Sequence, residues 1–256
     1  MNVLVLLAGI ADTKWPLPGE LSAASLGAHR AGHEALGPFD ETALELALKL
    51  RDATPDTRIT VLLIGEESLA RKVAGYRIDH TLRLDAASLA AWSPADCSAS
   101  LRVLLQAHDC APDLVLLGRE FGDQDDGSIP VFLAQAMTLP HFSLTLSVQA
   151  TSTGIRVLRQ GASGLERVDA STPALLSVTN DSHNRLRQPL LKNVMASKKM
   201  NFPPCAIQPT TPAIEWLGVQ AAAAPTRTAA CRLLQGTPDE QARALADVLV
   251  ALGEAP

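Results

Sequence analysis

The sequence predicts an α/β fold with a doubly wound, mainly parallel sheet, an antiparallel extension and a C-terminal arm. The apolar runs Val3–Leu7 and Leu114–Leu117 and the mainly apolar stretch Arg58–Ile64 are typical of strands covered on both faces. Helical patterns separate these runs, and strands that alternate with helices favour a parallel sheet. We therefore predict one α/β domain over residues 1–200, followed by an extended arm and a terminal helix over 201–256.

Composition and charge exclude some classes of function. With 256 residues, of which 47% are hydrophobic, the chain can bury one sizeable core. A net charge of −5 and an aromatic content of 4% argue against general nucleic-acid binding. The opening apolar run is too short to span a membrane and wrongly flanked for a signal peptide, so we expect a soluble, cytoplasmic protein. The four cysteines form no Cys-x-x-Cys pair and are expected to be reduced.

The first half of the chain contains the parallel elements. After Val3–Leu7, the polar segment Gly9–Pro38 is too long for an ordinary connection and is expected to be a functional or mobile loop. Asp40 is the expected N-cap of a helix over Glu41–Arg51. The remaining elements are expected as a strand at Arg58–Ile64, a helix at Glu66–Ala74, a strand at His80–Leu84, a helix from Ser93-Pro94 to about His108, a strand at Leu114–Leu117 and a helix from Gly127-Ser128 to about Met137.

After Pro140 the pattern changes to short strand-like runs separated by Gly, Ser and Thr. We interpret all of them as an antiparallel extension, over Leu144–Gln149, Ile155–Arg159, Leu165–Ala170 and Ala174–Val178. Proline and alanine dominate from Asn201 to Pro225, which predicts an extended arm. A terminal helix is expected to begin near Thr237 and to end at Gly253.

One acidic loop is the strongest local signal for a binding site. Ligands of parallel sheets bind at the carboxyl ends of the strands, and L-L-G-R-E-F-G-D-Q-D-D-G-S at Leu116–Ser128 leads from a strand end into a helix. Backbone amides at such a helix start suit a phosphate. Asp123, Asp125 and Asp126 would repel a phosphate, but they could bind ribose hydroxyls, cap the helix or hold a metal ion. These interpretations all stay open.

No catalytic set is predicted. The sequence contains no G-x-G-x-x-G, Walker, G-x-S-x-G or H-E-x-x-H motif, and spacing assembles no Ser/His/Asp or Cys/His group. The six histidines each stand alone in the sequence, and each is expected to be an ordinary surface or hydrogen-bonded histidine.

A basic run near residue 190 contains unexplained leucines. Arg185–Lys199 carries five cationic side chains, two before and three after Leu190 and Leu191. A core strand would not carry that many charges, and a solvated loop does not require leucines. The two leucines either cover the core of the domain or contact a partner.

Four stretches, in this order, resemble the beta subunit of electron transfer flavoproteins. Gly37–Leu50 resembles N-P-F-x-E-x-A-x-E-x-A-x-x-L, and Gly118–Asp126 is similar to G-K-Q-x-I-D-D-D. Arg159–Ser177 resembles R-E-x-D-G-G-L-E-x-x-x-x-x-x-P-A-V-x-T, and Lys192–Lys199 is similar to P-N-I-M-K-A-K-K. The resemblance covers residues 1 to 200.

The resemblance implies an electron carrier rather than an enzyme with its own substrate. In this family an adenine-nucleotide-binding, Rossmann-like beta chain pairs with an alpha subunit that holds most of a redox-active FAD, and the beta chain usually holds AMP. The pair passes electrons from a flavoprotein dehydrogenase to a quinone oxidoreductase or another acceptor. Residues 201–256 would wrap the alpha subunit. The alternative is a stand-alone adenine-nucleotide-binding or sensing module.

The resemblance also implies two sets of site residues. The cofactor contacts would be made by Leu6, Gly37, Pro38, Phe39, Asp40, Ile64, Gly118, Arg119, Asp123, Asp125, Asp126, Gly127 and Ser128. Phe39 and the segment around Thr13 would lie near the flavin, although Phe39 could equally be a helix-entry staple. Leu191 would enter an apolar pocket on the dehydrogenase, supported by Leu190, Lys192, Asn193 and Met195, while the surrounding cations steer the encounter.

Departures from the family pattern concentrate at the nucleotide contacts. Ala8-Gly9 replaces Lys-Arg at the first strand end, Gly127–Val131 replaces N-Q-T-G-Q, and Asn184–Gln188 replaces N-E-P-R-Y. Several polar nucleotide contacts are thereby lost. Whether AMP, a second FAD or neither binds the beta chain stays open, and the changes indicate a divergent branch.

Overall fold

The first strand lies at the centre of a mixed sheet. The computed structural model describes residues 1–89, 92–123, 125–207 and 233–253. The chain divides into two compact units, Met1–Val219 and Gln220–Pro256, and the sheet belongs to the first. The strands are β1 Asn2–Ala11, β2 Glu34–Leu36, β3 Arg58–Ile64, β4 His80–Leu84, β5 Leu114–Gly118, β6 His141–Thr151, β7 Gly154–Gly161, β8 Gly164–Ala170 and β9 Ala174–Val178.

Helices cover both faces of the sheet. The helices of the first unit are α1 Ala23–Gly32, α2 Pro38–Ala53, α3 Glu67–Ala74, α4 Pro94–Ala107, α5 Ile129–Met137 and α6 Leu191–Ser197, and the second unit contains α7 Pro238–Gly253. The strand order is β4-β3-β1-β5-β9-β6-β7-β8, and β2 pairs with β1. The pairings from β4 through to β6 are parallel, whereas β2 with β1, β6 with β7 and β7 with β8 are antiparallel. The predicted α/β class and most element bounds are confirmed.

The alternating side chains of β1 contribute to two separate hydrophobic clusters. Val3, Val5 and Leu7 pack with buried residues of α2 and α3 on one face. Leu4 and Leu6 pack with residues of α4 and α5 on the other. Successive side chains of a strand point to opposite faces, so a strand that is covered twice must be apolar throughout. The continuous run V-L-V-L-L therefore forms an inner strand.

The prediction that Ala174–Val178 belongs to the antiparallel extension was wrong. This strand, β9, lies between β5 and β6 and pairs parallel with both. All five of its residues are buried. Its sequence A-L-L-S-V, apolar apart from Ser177, suits an inner parallel strand better than a half-exposed antiparallel strand. Only β6, β7 and β8 form the antiparallel extension.

The long connection Gly9–Pro38 contains regular structure, contrary to the loop prediction. β1 continues to Ala11, and α1 and β2 follow before α2 begins. Ser22 caps α1 in a reciprocal box with Ser25, in which each side chain accepts a hydrogen bond from the backbone of the other. The box has serine where glutamate is usual, so the sequence signature was weak.

The basic run forms a short helix, α6, that is anchored by ion pairs from α2. The guanidinium of Arg187 donates to the buried carboxylate of Glu45 at 2.8–3.1 Å and to Asp52 at 2.5 Å. Lys49 donates to the side-chain oxygen of Asn184 at 2.8 Å. These bonds fix the segment that leads into α6, which begins at Leu191.

Side chains of α3 and β4 fix the segment after α6. Arg71 donates to the carbonyl oxygen of Met200 at 3.1 Å. Glu67 accepts from the backbone amide of Phe202 at 3.1 Å, and this hydrogen bond lowers the pKa of Glu67. Arg83 donates to the carbonyl oxygen of Phe202 at 2.7 Å. α6 is therefore held at both of its ends.

The two edges of the sheet differ. At one edge, β8 forms cross-strand ion pairs with β7 through Arg156 and Asp169 at 2.7 Å and through Arg159 and Glu166 at 3.3 Å. At the other edge, Arg83 of β4 forms an isolated bridge with Pro204.

The second unit is described through its helix α7. Pro238–Gly253 confirms the predicted terminal helix. Its apolar stripe, with Leu245, Val248, Leu249 and Leu252, is exposed. The predicted arm at 201–225 lies largely outside the described residues, from 208 onward. Within the part of the chain that the structure describes, no helix is long and apolar enough to cross a membrane.

We expect Arg187→Met to lower the free energy of unfolding because it leaves the carboxylate of Glu45 buried without its cation. A broken buried pair costs several kcal/mol, but Arg187 is 39% exposed, so the expected loss is about 1–3 kcal/mol. Urea unfolding followed by circular dichroism measures it. Arg185→Met, at an exposed neighbour, is the matched control; an equal loss in both variants would contradict the role of Arg187 as the anchor.

Candidate functional site

The crevice at the carboxyl ends of β1, β3 and β5 is the candidate site. The chain moves from β1 to β3 on one side and later returns to β5 on the other side. The strand order therefore reverses between β1 and β5, and ligands of such sheets bind at that reversal. The residues at these strand ends are Ala8, Ile64 and Gly118.

Asp40 lies directly over the reversal point. Its carboxylate accepts a hydrogen bond from the amide of Ala8 at 3.1 Å, and its other oxygen, Oδ1, has no hydrogen-bond partner. Burial raises the pKa of Asp40 well above its usual value. The prediction that Asp40 caps its helix was wrong, because α2 begins at Pro38 and Gly37 is the N-cap. Proline needs no amide partner in the first helical turn, so the helix starts earlier than predicted.

A second carboxylate, Glu34, lies between the ends of β1 and β3. It accepts a hydrogen bond from the amide of Glu66 at 2.6 Å, and its Oε1 is 3.7 Å from Nε of Arg30. Burial raises the pKa of Glu34, although the amide of Glu66 and the charge of Arg30 oppose this shift. Arg30 also donates to the carbonyl oxygen of Gly9. Its Nη1 lies 4.0 Å from the carboxylate of Asp123.

The acidic loop is organised around the buried carboxylate of Asp125. Oδ1 of Asp125 accepts hydrogen bonds from three backbone amides at 2.8–3.1 Å, and Oδ2 accepts one more at 2.9 Å. The donors are the amides of Phe121, Gly127, Ser128 and Ile129. The amides that would suit a phosphate therefore already have an acceptor, which is the capped-turn arrangement.

The two other acids of the loop are exposed. Asp123 accepts from the amide of Ala11 at 3.1 Å, and Asp126 accepts from the hydroxyl of Ser128 at 2.6 Å. Within the described ranges, no three His, Cys, Asp or Glu side chains are grouped so that they could hold a metal ion. The metal interpretation of the loop therefore has no geometric support there.

The crevice encloses little space. A cavity of about 120 Å³ is lined by Ala8, Arg30, Ile64, Ala86, Leu89, Trp92, Phe121, Gly122 and Asp123. Larger open grooves lie elsewhere: one of about 730 Å³ runs among charged residues that include Arg58, at the amino end of β3. Another, of about 520 Å³, lies beside the first turn of α2 and the segment 180–188.

Phe39 and Arg119 form the outer rim of the crevice. The guanidinium carbon of Arg119 lies 5.2 Å from the ring centroid of Phe39. A Cβ placed on Gly118 would be 2.8 Å from Cβ of Phe39, so the absence of a side chain at Gly118 lets α2 approach β5. Phe39 lies inside the first turn of α2 rather than before its N-cap, so it is not a helix-entry staple.

Comparison with known proteins identifies the family. Residues 25–204, well over half of the chain, match the electron transfer flavoprotein domain. The chain belongs to the electron transfer flavoprotein family. The match spans β2 to β9 and α6, so it includes the carboxyl ends of β3 and β5 and the basic run, whereas β1 precedes it.

The similar curated proteins include beta subunits of electron transfer flavoproteins and an electron transfer subunit of acryloyl-CoA reductase. The electron transfer flavoprotein subunit beta of Syntrophomonas wolfei is 26% identical over 166 residues, which are 64% of this chain and 64% of that protein. The subunit beta of Mycobacterium tuberculosis is 27% identical over 206 residues, 77% of this chain and 76% of that protein. The acryloyl-CoA reductase electron transfer subunit gamma of Anaerotignum propionicum is 23% identical, over 76% of this chain and 73% of that protein. The chain spans less than two thirds of the length of the Syntrophomonas wolfei subunit and of the beta subunits of Megasphaera elsdenii and Dictyostelium discoideum. At these low identities it is a divergent member.

The site residues implied by the electron transfer flavoprotein resemblance fall into three groups. Ile64 and Asp123 line the cavity, and Phe39, Asp40, Gly118 and Arg119 meet beside it. Leu6 is fully buried in the core, so only its backbone is near the strand end. The docking residues are on α6, which packs on α3 instead of at the crevice.

The structure adds Arg30 and Glu34 to the site, and the sequence reading missed both. They lie in the segment that was interpreted as a loop. Two signals were available: the pair has opposite charges at i, i+4 spacing, and Ala8-Gly9 lacks the cations that electron transfer flavoproteins usually have there. Instead, the guanidinium of Arg30, which belongs to α1, donates to the carbonyl oxygen of Gly9 in β1.

The contacts of His33 and His141 are structural, as expected for ordinary surface or hydrogen-bonded histidines. The ring of His33 stacks on Trp15 at 4.2 Å and lies 5.2 Å from that of His29. His141 is 3.0 Å from the hydroxyl of Ser177, and burial lowers the pKa of this histidine. Ser177 is buried within β9, so the contact is a structural hydrogen bond between neighbouring strands.

Asp40→Asn should change the pH dependence of stability. The native pKa of Asp40 is raised, so the native state holds a proton that the unfolded state has released, and the wild type loses stability as the pH rises. Asparagine keeps an acceptor for Ala8 without the charge. The stability of the variant relative to the wild type should therefore increase from about pH 4 to about pH 8 in urea unfolding. Asp56→Asn, at an exposed site, is the control; parallel pH profiles for wild type and Asp40→Asn would refute the prediction.

Proposed function

We propose that this chain is the beta subunit of a heterodimeric electron transfer flavoprotein. The pair would pass electrons from a flavoprotein dehydrogenase, through FAD, to a quinone oxidoreductase or another acceptor. The observation that carries the proposal is the family match over residues 25–204, together with relatives that are themselves electron transfer subunits. The chain would contribute to the surroundings of the flavin and would dock the dehydrogenase, and it would catalyse no reaction of its own.

The rim of the crevice is the part of this chain that we assign to the flavin side. FAD, held mainly by the alpha subunit, supplies the redox chemistry when bound. Phe39 is partly exposed at the first turn of α2, with the guanidinium of Arg119 over its ring. An apolar ring and a fixed cation are suited to contact an aromatic, electron-accepting group. The open groove beside the same turn leaves space for a partner surface.

The exposed face of α6 is the proposed dehydrogenase contact. Leu190, Leu191 and Met195 are 60%, 76% and 55% exposed, so they do not cover the core of the domain. Lys192 and Lys198 add positive charge to the same helix. Because both ends of α6 are anchored, little conformational entropy is lost when a partner binds.

The energy of one leucine suits a transient contact. Burying a leucine side chain contributes about 1.5–3 kcal/mol before ordering costs. The cations around it would raise the rate of encounter more than the affinity. A modest affinity combined with fast encounter suits a partner that must dissociate after each electron delivery.

Co-expression with an alpha subunit tests the proposal directly. We expect a yellow heterodimer with FAD absorption bands that reduced flavoprotein dehydrogenase bleaches. Size-exclusion chromatography and the visible spectrum measure the two properties. A beta chain that stays colourless and never pairs with its alpha subunit would rule out the proposed function.

Leu191→Ala should slow reduction of the heterodimer by its dehydrogenase without changing the fold. Loss of most of one buried leucine predicts a roughly tenfold fall in kcat/KM. The assay uses a dehydrogenase that reduces the wild-type complex, with dithionite reduction as a check that the flavin is intact. Leu165→Ala, at a similarly exposed leucine on β8, is the matched control; equal rates for both variants would disprove docking through α6.

A further inference from the structure

We infer that Arg30 and Glu34 close the nucleotide crevice from within, so that this chain binds no AMP or second flavin there. This goes beyond the proposed function, which requires only FAD on the alpha subunit. The inference rests on the space, the contacts and the charge at the carboxyl ends of β1 and β3.

The enclosed space is too small for a nucleotide. The cavity measures about 120 Å³, whereas pockets for small-molecule ligands and cofactors span about 300–1,000 Å³. Arg30 and Asp123 form polar parts of its wall, and Phe121 is a buried apolar part. A nucleotide would have to displace side chains that already pair with one another.

The carboxylate of Glu34 fills the gap between the two strand ends. A Cβ placed on Gly65 would be 2.7 Å from Oε2 of Glu34, and a Cβ placed on Gly9 would clash with the same carboxylate. Glycines at strand ends usually let a ligand approach the backbone. Here the missing side chains of Gly9 and Gly65 instead leave room for the carboxylate of Glu34, which accepts a hydrogen bond from the amide of Glu66.

The charge around the crevice opposes a phosphate. Arg30 is the guanidinium in the cavity wall, and it is already shared by Gly9, Glu34 and Asp123. The carboxylates of Glu34 and Asp123 lie next to it. A phosphate would therefore meet two carboxylates that already offset the charge of Arg30, and the cost of removing it from water would be poorly compensated.

The helix start that would bind the phosphate is also committed. Asp125 accepts from all three amides of Gly127, Ser128 and Ile129. Its carboxylate takes the place at the positive end of α5 that an anion would otherwise occupy. Space, contacts and charge thus agree that AMP does not fit these residues.

The experiment measures nucleotide content and binding on the same sample of heterodimer. Acid-released nucleotides are separated and quantified, with known amounts of added AMP as the recovery control. We expect about one FAD and less than about one tenth of an AMP for each complex, and no saturable heat when AMP at about 1 mM is titrated in. AMP above that fraction, a second FAD, or saturable heat would overturn the inference.

The same sample separates this inference from the proposed function. A heterodimer that carries FAD but also AMP would overturn only the inference. If the chains fail to pair and no FAD is found, the proposed function fails, and titration of the full beta chain with AMP still decides the inference. Saturable binding to that chain would overturn it, and a flat titration would support it.

Discussion

The burial of β1 between β3 and β5 is the constraint on which the site depends. A strand with two covered faces and two parallel neighbours cannot shift its register without moving side chains between two different clusters. Its carboxyl end is therefore fixed in space. Asp40 and Glu34 each accept from a backbone amide at this end or beside it, Ala8 in one case and Glu66 in the other. The crevice is consequently built from side chains that accept hydrogen bonds from backbone amides at the carboxyl ends of the central strands.

Much of the fold was predictable from periodicity because strands buried on both faces leave an unmistakable apolar run. Arg58–Ile64 and His80–Leu84 were predicted with the bounds that the structure has. The position of β9 was not predictable in the same way, since the pairing partners of a strand depend on residues far away in sequence. A run of five mainly apolar residues is compatible with an inner strand and with a short edge strand, so the sequence of the run does not distinguish the two positions.

The site was less predictable than the fold for a related reason. The acidic loop stood out in sequence, but its four residues from Asp123 to Asp126 could not reveal that Asp125 turns inward to the amides while Asp123 and Asp126 remain exposed. For Arg30 and Glu34, the opposite charges at i, i+4 spacing indicate only that the two side chains pair with each other. Their meeting with Gly9 and Gly65 requires α1 and β2 to fold back onto β1, which no local pattern encodes.

The two edges of the sheet have a consequence for self-association. A free edge strand presents unpaired amides and carbonyls to any other chain in an extended conformation. On β8, Asp169 and Glu166 place charges at that edge, where they pair with Arg156 and Arg159 of the neighbouring strand β7. Pairing a second copy with β8 would remove water from these charges. At β4, the bridge ends on Pro204, whose nitrogen has no hydrogen to donate. Each edge thus carries one of the features that disfavour pairing with a further strand, charged side chains on β8 and a bridge to proline at β4.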